Sequence, residues 1–352
     1  MLSIQENILL ADYTTFKIGG PARYFAIIKN EEDLKSAVDF AKENQLPIYI
    51  LGGGSNLLIS DEGVDGLVLK IEIKGVTWDS ESQVIAGAGE VWDDLVQQTV
   101  DKNLYGLENL SYIPGTVGAS VIQNIEAYGG RVQDVVNWVE VFDIKTNEVK
   151  RISKENCEFK YKESIFKKEE GKNFVVLNVC FCLQKEGTLQ FDYKEVKRSM
   201  IEKGIVEMSL KDLRNIIIEI RRKKFPKLSD IGMAGSFFKN PSVDKNQLEE
   251  LKKFLPELRY YSLDQNFLRI DNGKETPKDS ENFRVALAYI FDRGFGLNGL
   301  REGNVGIHDS NPLILINCGG ATAKEMRAFA NGLMEKTKEK TGIDIEPEVV
   351  MW

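Results

Sequence analysis

The chain reads as a mixed helix-and-strand protein of more than one domain, and three observations carry that reading. An amphipathic helix over 31–44 stops at Pro47 and gives way to an apolar strand over 48–51, the change of period expected where helices pack on sheet. Apolar strands then recur and end in glycine, before Gly52-Gly53-Gly54, at Gly87-Ala88-Gly89 and before Cys318-Gly319-Gly320. The 352 residues suffice for two or three domains.

In chain order, Thr14-Thr15-Phe16-Lys17-Ile18-Gly19-Gly20-Pro21 is a Gly-Pro turn after a short extended segment. In the helix over 31–44, Leu34, Ala37, Val38 and Ala41 share a face and acidic residues crowd the first turn. Strands follow at 68–71 and 84–88, then a second amphipathic helix over 91–103 on Leu95, Val96 and Thr99. Residues 139–142 and 148–152 form a hairpin around Lys145-Thr146-Asn147. The apolar strand over 174–183 puts Cys180 and Cys182 on one face, a core pattern. Ser209 with Asp212 starts a helix in the manner of a capping box, with Leu213, Ile216, Ile217 and Ile220 inward. It ends in Arg221-Arg222-Lys223-Lys224, which either matches the helix dipole or binds an anion. Residues 242–310 alternate helix and polar loop, and 313–316 is a buried strand. Thr322 with Glu325 opens a last helix, to about Lys340, with Met326, Phe329, Ala330 and Leu333 inward.

Composition excludes several classes. With 42% hydrophobic and 28% charged residues the chain is ordinary globular protein. Its net charge of −8 leaves no nucleic-acid footprint. No apolar run is long enough to span a bilayer, and the N-terminus lacks the basic region and apolar core of a secretory signal. Four scattered cysteines and one histidine argue against a zinc or haem site. A cytoplasmic, thiol-reduced protein without a metal is expected.

Four stretches carry chemistry. Gly52-Gly53-Gly54-Ser55-Asn56 is rich in N–H groups free of bulky side chains, and reads either as an anion cradle or as an ordinary glycine loop. It is not a Walker loop, for no Gly-Lys-Ser/Thr follows, and Asn56 and Leu57 stand where a Gly-x-Gly-x-x-Gly motif needs its last glycine. In the stretch 106–130, Pro114-Gly115 makes a turn, and Gly115, Gly118, Ala119 and Ser120 allow close approach to a ligand or simply a tightly packed helix start. Gln123, Asn124 and Tyr128 add polar groups there. Residues 159–167 interleave aromatic and polar side chains, Tyr161 and Lys162 among them. In Ala234-Gly235-Ser236-Phe237-Phe238-Lys239-Asn240-Pro241 the serine is a turn residue or a proton donor. No nearby histidine can make it a nucleophile.

Taken together, these residues resemble the UDP-N-acetylenolpyruvoylglucosamine reductases, flavoenzymes of bacterial peptidoglycan precursor synthesis. The resemblance spans essentially the whole chain. It lies in Thr-Thr-Phe, Leu-Gly-Gly-Gly-Ser-Asn-Leu-Leu, Gly-Leu-Glu-Asn-Leu with Ile-Pro-Gly-Thr-Val-Gly-Ala, Gln-Asn-Ile-x-Ala-Tyr-Gly, Tyr-x-x-Ser-Ile-Phe-Lys, Gly-Ser-Phe-Phe-Lys-Asn-Pro and Glu-Pro-Glu-Val, in that order. Tyr193, with the extra segment before Leu313, is similar to the longer form of the family, in which a tyrosine loop closes on substrate.

The resemblance implies an α+β fold. Residues 10–185 would be a two-lobed FAD-binding domain of the vanillyl-alcohol-oxidase (PCMH) type, with lobes at about 10–75 and 76–185. Residues 210–345 would be an α+β substrate-binding domain, and 345–352 would return to the active site. Gly52, Gly53, Gly54, Ser55 and Asn56 would hold the FAD pyrophosphate, and Pro114, Gly115, Gly118, Ala119, Gln123, Asn124 and Tyr128 the rest of a non-covalent flavin. NADPH would be the reductant and a UDP-sugar enolpyruvate the substrate, in a monomer. Ser236 would donate the proton, with Glu348 its carboxyl partner and Lys162 in the place of the family's arginine. Tyr161 neighbours Lys162, and Tyr193, Lys224 and Asn240 would meet the UDP part. Three positions depart from the family: Lys162 for arginine, Glu126 for the glycine of Gln-Asn-Ile-Gly-Ala-Tyr-Gly, and Val350 for the arginine after Glu-Pro-Glu-Val. Two alternatives stay open: another FAD oxidoreductase on the same scaffold, against which the serine motif and Glu348 argue, and a weakly catalytic paralogue that binds nucleotide sugar, which the three departures alone support.

Overall fold

The computed structural model describes residues 2–262 and 281–352. In it the strand Ile48–Leu51 is the edge of a four-stranded sheet, followed in order by Val64–Ile71, Pro21–Ile28 and Ile4–Leu9. Val64–Ile71 pairs in parallel with both of its neighbours, and Ile4–Leu9 is antiparallel to Pro21–Ile28. Parallel strands need a crossover, and helix α1 (Glu31–Glu43) lies on it. Asn30 caps α1 by accepting from the Asp33 N–H at 2.8 Å. Leu34, Ala37, Val38 and Ala41 are buried in the core that Ala26, Ile28, Leu67 and Leu69 share.

A second sheet is wholly antiparallel, in the order Glu148–Ser153, Val136–Asp143, Phe174–Cys182, Gln83–Gly87, Val76–Trp78. Its first pair is the hairpin expected around 145–147. Helix α2 (Trp92–Asp101) buries Trp92 edge-on to Phe181, ring centroids 6.0 Å apart. Helix α3 (Val117–Ile122) follows the Pro114-Gly115 turn. Helices α4 (Lys194–Glu202) and α5 (Leu210–Lys224) share a small cluster in which Val196, Leu213, Ile216 and Ile217 are buried with Tyr128. These elements form one compact unit, residues 1–9, 21–55 and 64–223. Cys180 is buried there, but Cys182 is exposed: the strand ends at it, beyond the core.

The other unit comprises residues 10–20, 56–63 and 224–352. Gly232–Met233, Asn311–Asn317, Val305–His308 and Arg301–Glu302 make an antiparallel sheet. Ser242–Asp244, Asn282–Val285 and Tyr260–Ser262 make a three-stranded one. Helix α6 (Lys245–Phe254) has a capping box of Asp244 and Gln247. Helix α7 (Ala323–Thr341) has both halves of the Thr322–Glu325 box and buries Met326, Phe329, Ala330 and Leu333 as read from their spacing. Asp61 adds a second cap, accepting from the N–H groups of Ala323 at 2.7 Å and Lys324 at 3.0 Å. Thr15 donates its hydroxyl to the Met233 carbonyl at 2.6 Å and accepts that residue's N–H at 3.0 Å. The Thr-Thr-Phe motif is therefore an anchor, with Phe16 fully buried and edge-on to Phe237.

The stretch 242–310 holds more strand than its polar pattern suggests. Strands of two to four residues are too short to display alternation. Residues 263–280 of that stretch lie outside the described residues. Pro21 opens a strand rather than only closing a turn, a place where its missing N–H costs nothing. Among the described residues no helix is long and apolar enough to cross a membrane.

Candidate active site

The two glycine-rich stretches meet inside the first unit. Ser55 donates its hydroxyl to the Pro114 carbonyl at 3.1 Å. A Cβ on Gly53 would stand 2.8 Å from the Gly115 Cα, and one on Gly52 would stand 3.0 Å from Thr116 Oγ1. Gly54 and Gly115 have φ of 62° and 123°, which other residues rarely adopt. Lys70, which the sequence did not single out, donates its ammonium to the Gly52 carbonyl at 2.6 Å. Burial lowers the Lys70 pKa. The start of α3 is occupied by the protein itself. The Gly118 N–H donates to the Ala88 carbonyl at 2.9 Å and the Ala119 N–H to Thr116 Oγ1 at 3.5 Å. A Cβ on Gly118 would stand 2.8 Å from the Ala88 Cβ, so its small size serves packing.

A second group forms where α3 ends. Asn124 holds φ 42° and donates its amide to Gln133 Oε1 at 2.6 Å and to the Lys160 carbonyl at 2.8 Å. Buried Ser164 donates to the Ile122 carbonyl at 2.8 Å. Lys167, given no role from the sequence, joins Gln123 Oε1 at 3.3 Å to the Lys162 carbonyl at 2.8 Å. Tyr161 and Lys162 are the two central residues of a tight turn in which Lys160 and Glu163 exchange both N–H···O bonds. Lys162 sits there at φ 55°.

Tyr128 and Tyr193 are also brought together, edge to face with centroids 5.4 Å apart. Burial pushes the Tyr128 phenol up to about 12, opposed by the charge and hydrogen bond of Arg221. Arg221 is itself buried, which lowers its pKa, and its Nε donates to the Tyr112 carbonyl at 2.9 Å. The first arginine of the basic cluster is thus an internal cation, more than a match to the helix dipole.

In the second unit the segments of Ser236 and Glu348, distant in sequence, run side by side. The Glu348 N–H donates to the Phe237 carbonyl at 2.8 Å, the Lys239 N–H to the Glu346 carbonyl at 3.0 Å, and Phe238 bridges Pro347 in antiparallel fashion. Val350–Met351 then pairs in parallel with Leu57–Leu58. Ser236 and Glu348 are both half-buried. Asn56 belongs to this unit, and its amide donates to the Glu348 carbonyl at 3.1 Å. Asn240 uses Oδ1 to accept from the Leu287 N–H at 3.0 Å. The Lys224 carbonyl accepts from Ser310 Oγ at 3.3 Å, and that hydroxyl lies 3.0 Å from Nδ1 of His308.

The first unit fits a flavin dinucleotide. Its paired loops keep backbone free of side chains, as a pyrophosphate requires. Asn124 Oδ1 is buried without a hydrogen-bond partner, an acceptor left for a donor on a bound group. Among the described residues no group of three or more His, Cys, Asp or Glu could hold a metal ion.

Fold and cradle together define an α+β flavoprotein, and an FAD binding domain family matches residues 22–153. Residues 226–352 match the C-terminal domain of UDP-N-acetylenolpyruvoylglucosamine reductase. The chain belongs to the UDP-N-acetylenolpyruvoylglucosamine reductase family. The reductase of Pseudomonas aeruginosa is 37% identical over 99% of this chain and 98% of its own length. That of Flavobacterium johnsoniae is 34% identical over 99% of each chain. The crystal structure of the Thermus caldophilus reductase covers 100% of both chains, with a TM-score of 0.67 at 26% identity.

Proposed function

We propose that this chain reduces UDP-N-acetylglucosamine enolpyruvate to UDP-N-acetylmuramate, with non-covalent FAD as cofactor and NADPH as reductant, acting as a cytoplasmic monomer in peptidoglycan precursor synthesis. The observation that carries the reading is the backbone pairing of Gly235-Ser236-Phe237-Phe238-Lys239 with Glu346-Pro347-Glu348, which brings a segment with a hydroxyl beside a segment with a carboxyl.

Gly52, Gly53, Gly54 and Ser55 with Pro114 and Gly115 hold the pyrophosphate, and Gln123, Asn124 and Tyr128 the rest of the cofactor. FAD, when bound, supplies the vinyl carbon with the hydride that NADPH delivers to it. Charge then builds on the enolate and its carboxylate, where a fixed cation is worth most. Lys162 supplies that cation as a point charge, without the planar fork of arginine. Ser236 gives its hydroxyl proton to the adjacent carbon, and Glu348 restores it. A serine hydroxyl is a weak acid, so the transfer relies on the strong basicity of the enolate. Lys224, Asn240 and Tyr193 bind the UDP part, Asn240 through its NH₂ because its oxygen is engaged by Leu287, and Tyr161, next to Lys162, also binds the substrate.

The test is optical. Purified protein is expected to be yellow and to release intact FAD on heating. NADPH bleaches it without oxygen, and the enolpyruvyl substrate restores the colour. A protein that binds no FAD overturns the reading. Reduced flavin that substrate binds but never reoxidises favours the weakly catalytic paralogue, for which Lys162, Glu126 and Val350 are the grounds.

A further inference from the structure

Gly106-Leu107-Glu108-Asn109-Leu110 takes no part in the chemistry above, yet it is one of the most constrained stretches of the first unit. Glu108 is buried and accepts the Gly106 N–H at 2.6 Å, closing a turn in which Gly106 has φ 130°. Trp92 Nε1 donates to the Leu110 carbonyl at 2.9 Å, and Ser111 Oγ to the Glu108 carbonyl at 2.6 Å. The stretch is thereby fixed to the first turn of α2.

Between these ties stands Asn109, 3% exposed. Its Nδ2 donates to the Tyr128 carbonyl at 2.7 Å and to the Gln190 carbonyl at 2.7 Å. A carboxamide nitrogen carries two hydrogens, so both are used, one on each of two loops. The first loop is the turn of Tyr128, Gly129 and Gly130, where a Cβ on Gly130 would stand 2.8 Å from the Asn109 Cβ. The second is the approach to Tyr193. Residues 185–192 are mostly exposed and belong to no helix or strand. The ring of Tyr193 then rests on that of Tyr128.

We infer that Asn109 is the positioning residue of Tyr193: one buried amide holds the flavin-side turn and the Tyr193 segment at a fixed separation. The inference rests on the proposed role of Tyr193 at the UDP part of the substrate. Without the amide, Tyr193 remains in the protein, but the loop that presents it is ordered only when substrate arrives. That ordering entropy appears in substrate binding and not in the step that uses NADPH alone.

The test is a double-mutant cycle on the holoenzyme. Asn109→Ala should raise KM for the enolpyruvyl substrate about tenfold and change the rate of flavin reduction by NADPH less than about twofold. In the Tyr193→Ala background the same substitution should raise KM no further. A rise in KM of equal size in both backgrounds overturns the inference, as does an unchanged KM in Asn109→Ala where Tyr193→Ala raises it. Should Asn109→Ala fail to fold, Asn109→Ser retains one donor and should give an intermediate KM. Hydrogen exchange of the holoenzyme separates this idea from the reading of Tyr193. Faster exchange at 189–193 in the Asn109 variant supports the clamp, and unchanged exchange overturns it. If Tyr193→Ala leaves KM unaltered, it is the substrate role of Tyr193 that fails.

Discussion

The glycine loops of the first unit and the Ser236 and Glu348 segments of the second both join distant parts of the chain, by different means. At the glycine loops the joint is steric. Gly53 can face Gly115 because neither has a side chain, and a single methyl group would part them. At Ser236 and Glu348 the joint is made by backbone hydrogen bonds, to which most side chains are indifferent. The steric joint leaves its record in the sequence as glycine, and the backbone joint leaves none. The two should therefore break differently under substitution.

Gly53→Ala gives the largest effect. With 2.8 Å to a backbone carbon the loops must separate. The expected loss is about 1–3 kcal/mol of stability from overpacking, with a fall in FAD affinity of at least about tenfold, or 1.4 kcal/mol. Thermal melting and titration of apoprotein with FAD measure both. An alanine variant that binds FAD as tightly as the parent would show that the loops do not form the cradle.

Lys162 sharpens the contrast, since it has a left-handed backbone without being glycine. Such residues concentrate at functional sites, where strain is tolerated. Lys162→Ala should lower turnover with the enolpyruvyl substrate about 10²–10³-fold, and Lys162→Arg should keep or raise it. Lys162→Gly should be as inactive as the alanine variant but more stable than it by about 1 kcal/mol, since glycine accepts positive φ. Steady-state rates and melting of the three variants decide this, and a fully active alanine variant would make Lys162 a surface charge.

The smallest effect is electrostatic. Burial raises the Glu108 pKa above the ordinary carboxylate value, against the opposing backbone hydrogen bonds. The folded state then holds a proton that the unfolded state has released. Stability falls as pH rises from about 4.3, the unfolded value, through the raised folded value, and is flat below. Glu108→Gln should abolish that slope while keeping an acceptor for Gly106. Denaturant melts of both proteins across mildly acidic pH test it, and parallel slopes would contradict it.

Much of the fold was legible because its elements are long. The spacing of Leu34, Ala37, Val38 and Ala41 and the Thr322–Glu325 cap foretold α1 and α7. Short strands such as Ser242–Asp244 offered no such pattern. Within the site, glycines pointed to the loops, although Gly118 is explained by its contact with Ala88. Lys70 and Asn109 went unread because their side chains reach backbone carbonyls of residues distant in sequence, and any residue has a carbonyl to offer. Lys167 went unread because its distant partner is the side chain of Gln123, which only the fold brings near. Arg221 was visible only as one of four consecutive basic residues, and burial is what sets it apart.

Rapid mixing of the Ser236→Ala variant tests the proposed transfer of a proton from Ser236 to the enolpyruvyl group. Absorbance of the flavin follows two separate events, bleaching by NADPH and recovery on addition of the enolpyruvyl substrate. Bleaching should stay near the parental rate while recovery slows about 10²–10⁴-fold, the range for loss of a general acid. Ser236→Cys should recover faster than the alanine variant, because a thiol can still donate. Equal slowing of both events, or recovery at the parental rate, would contradict it.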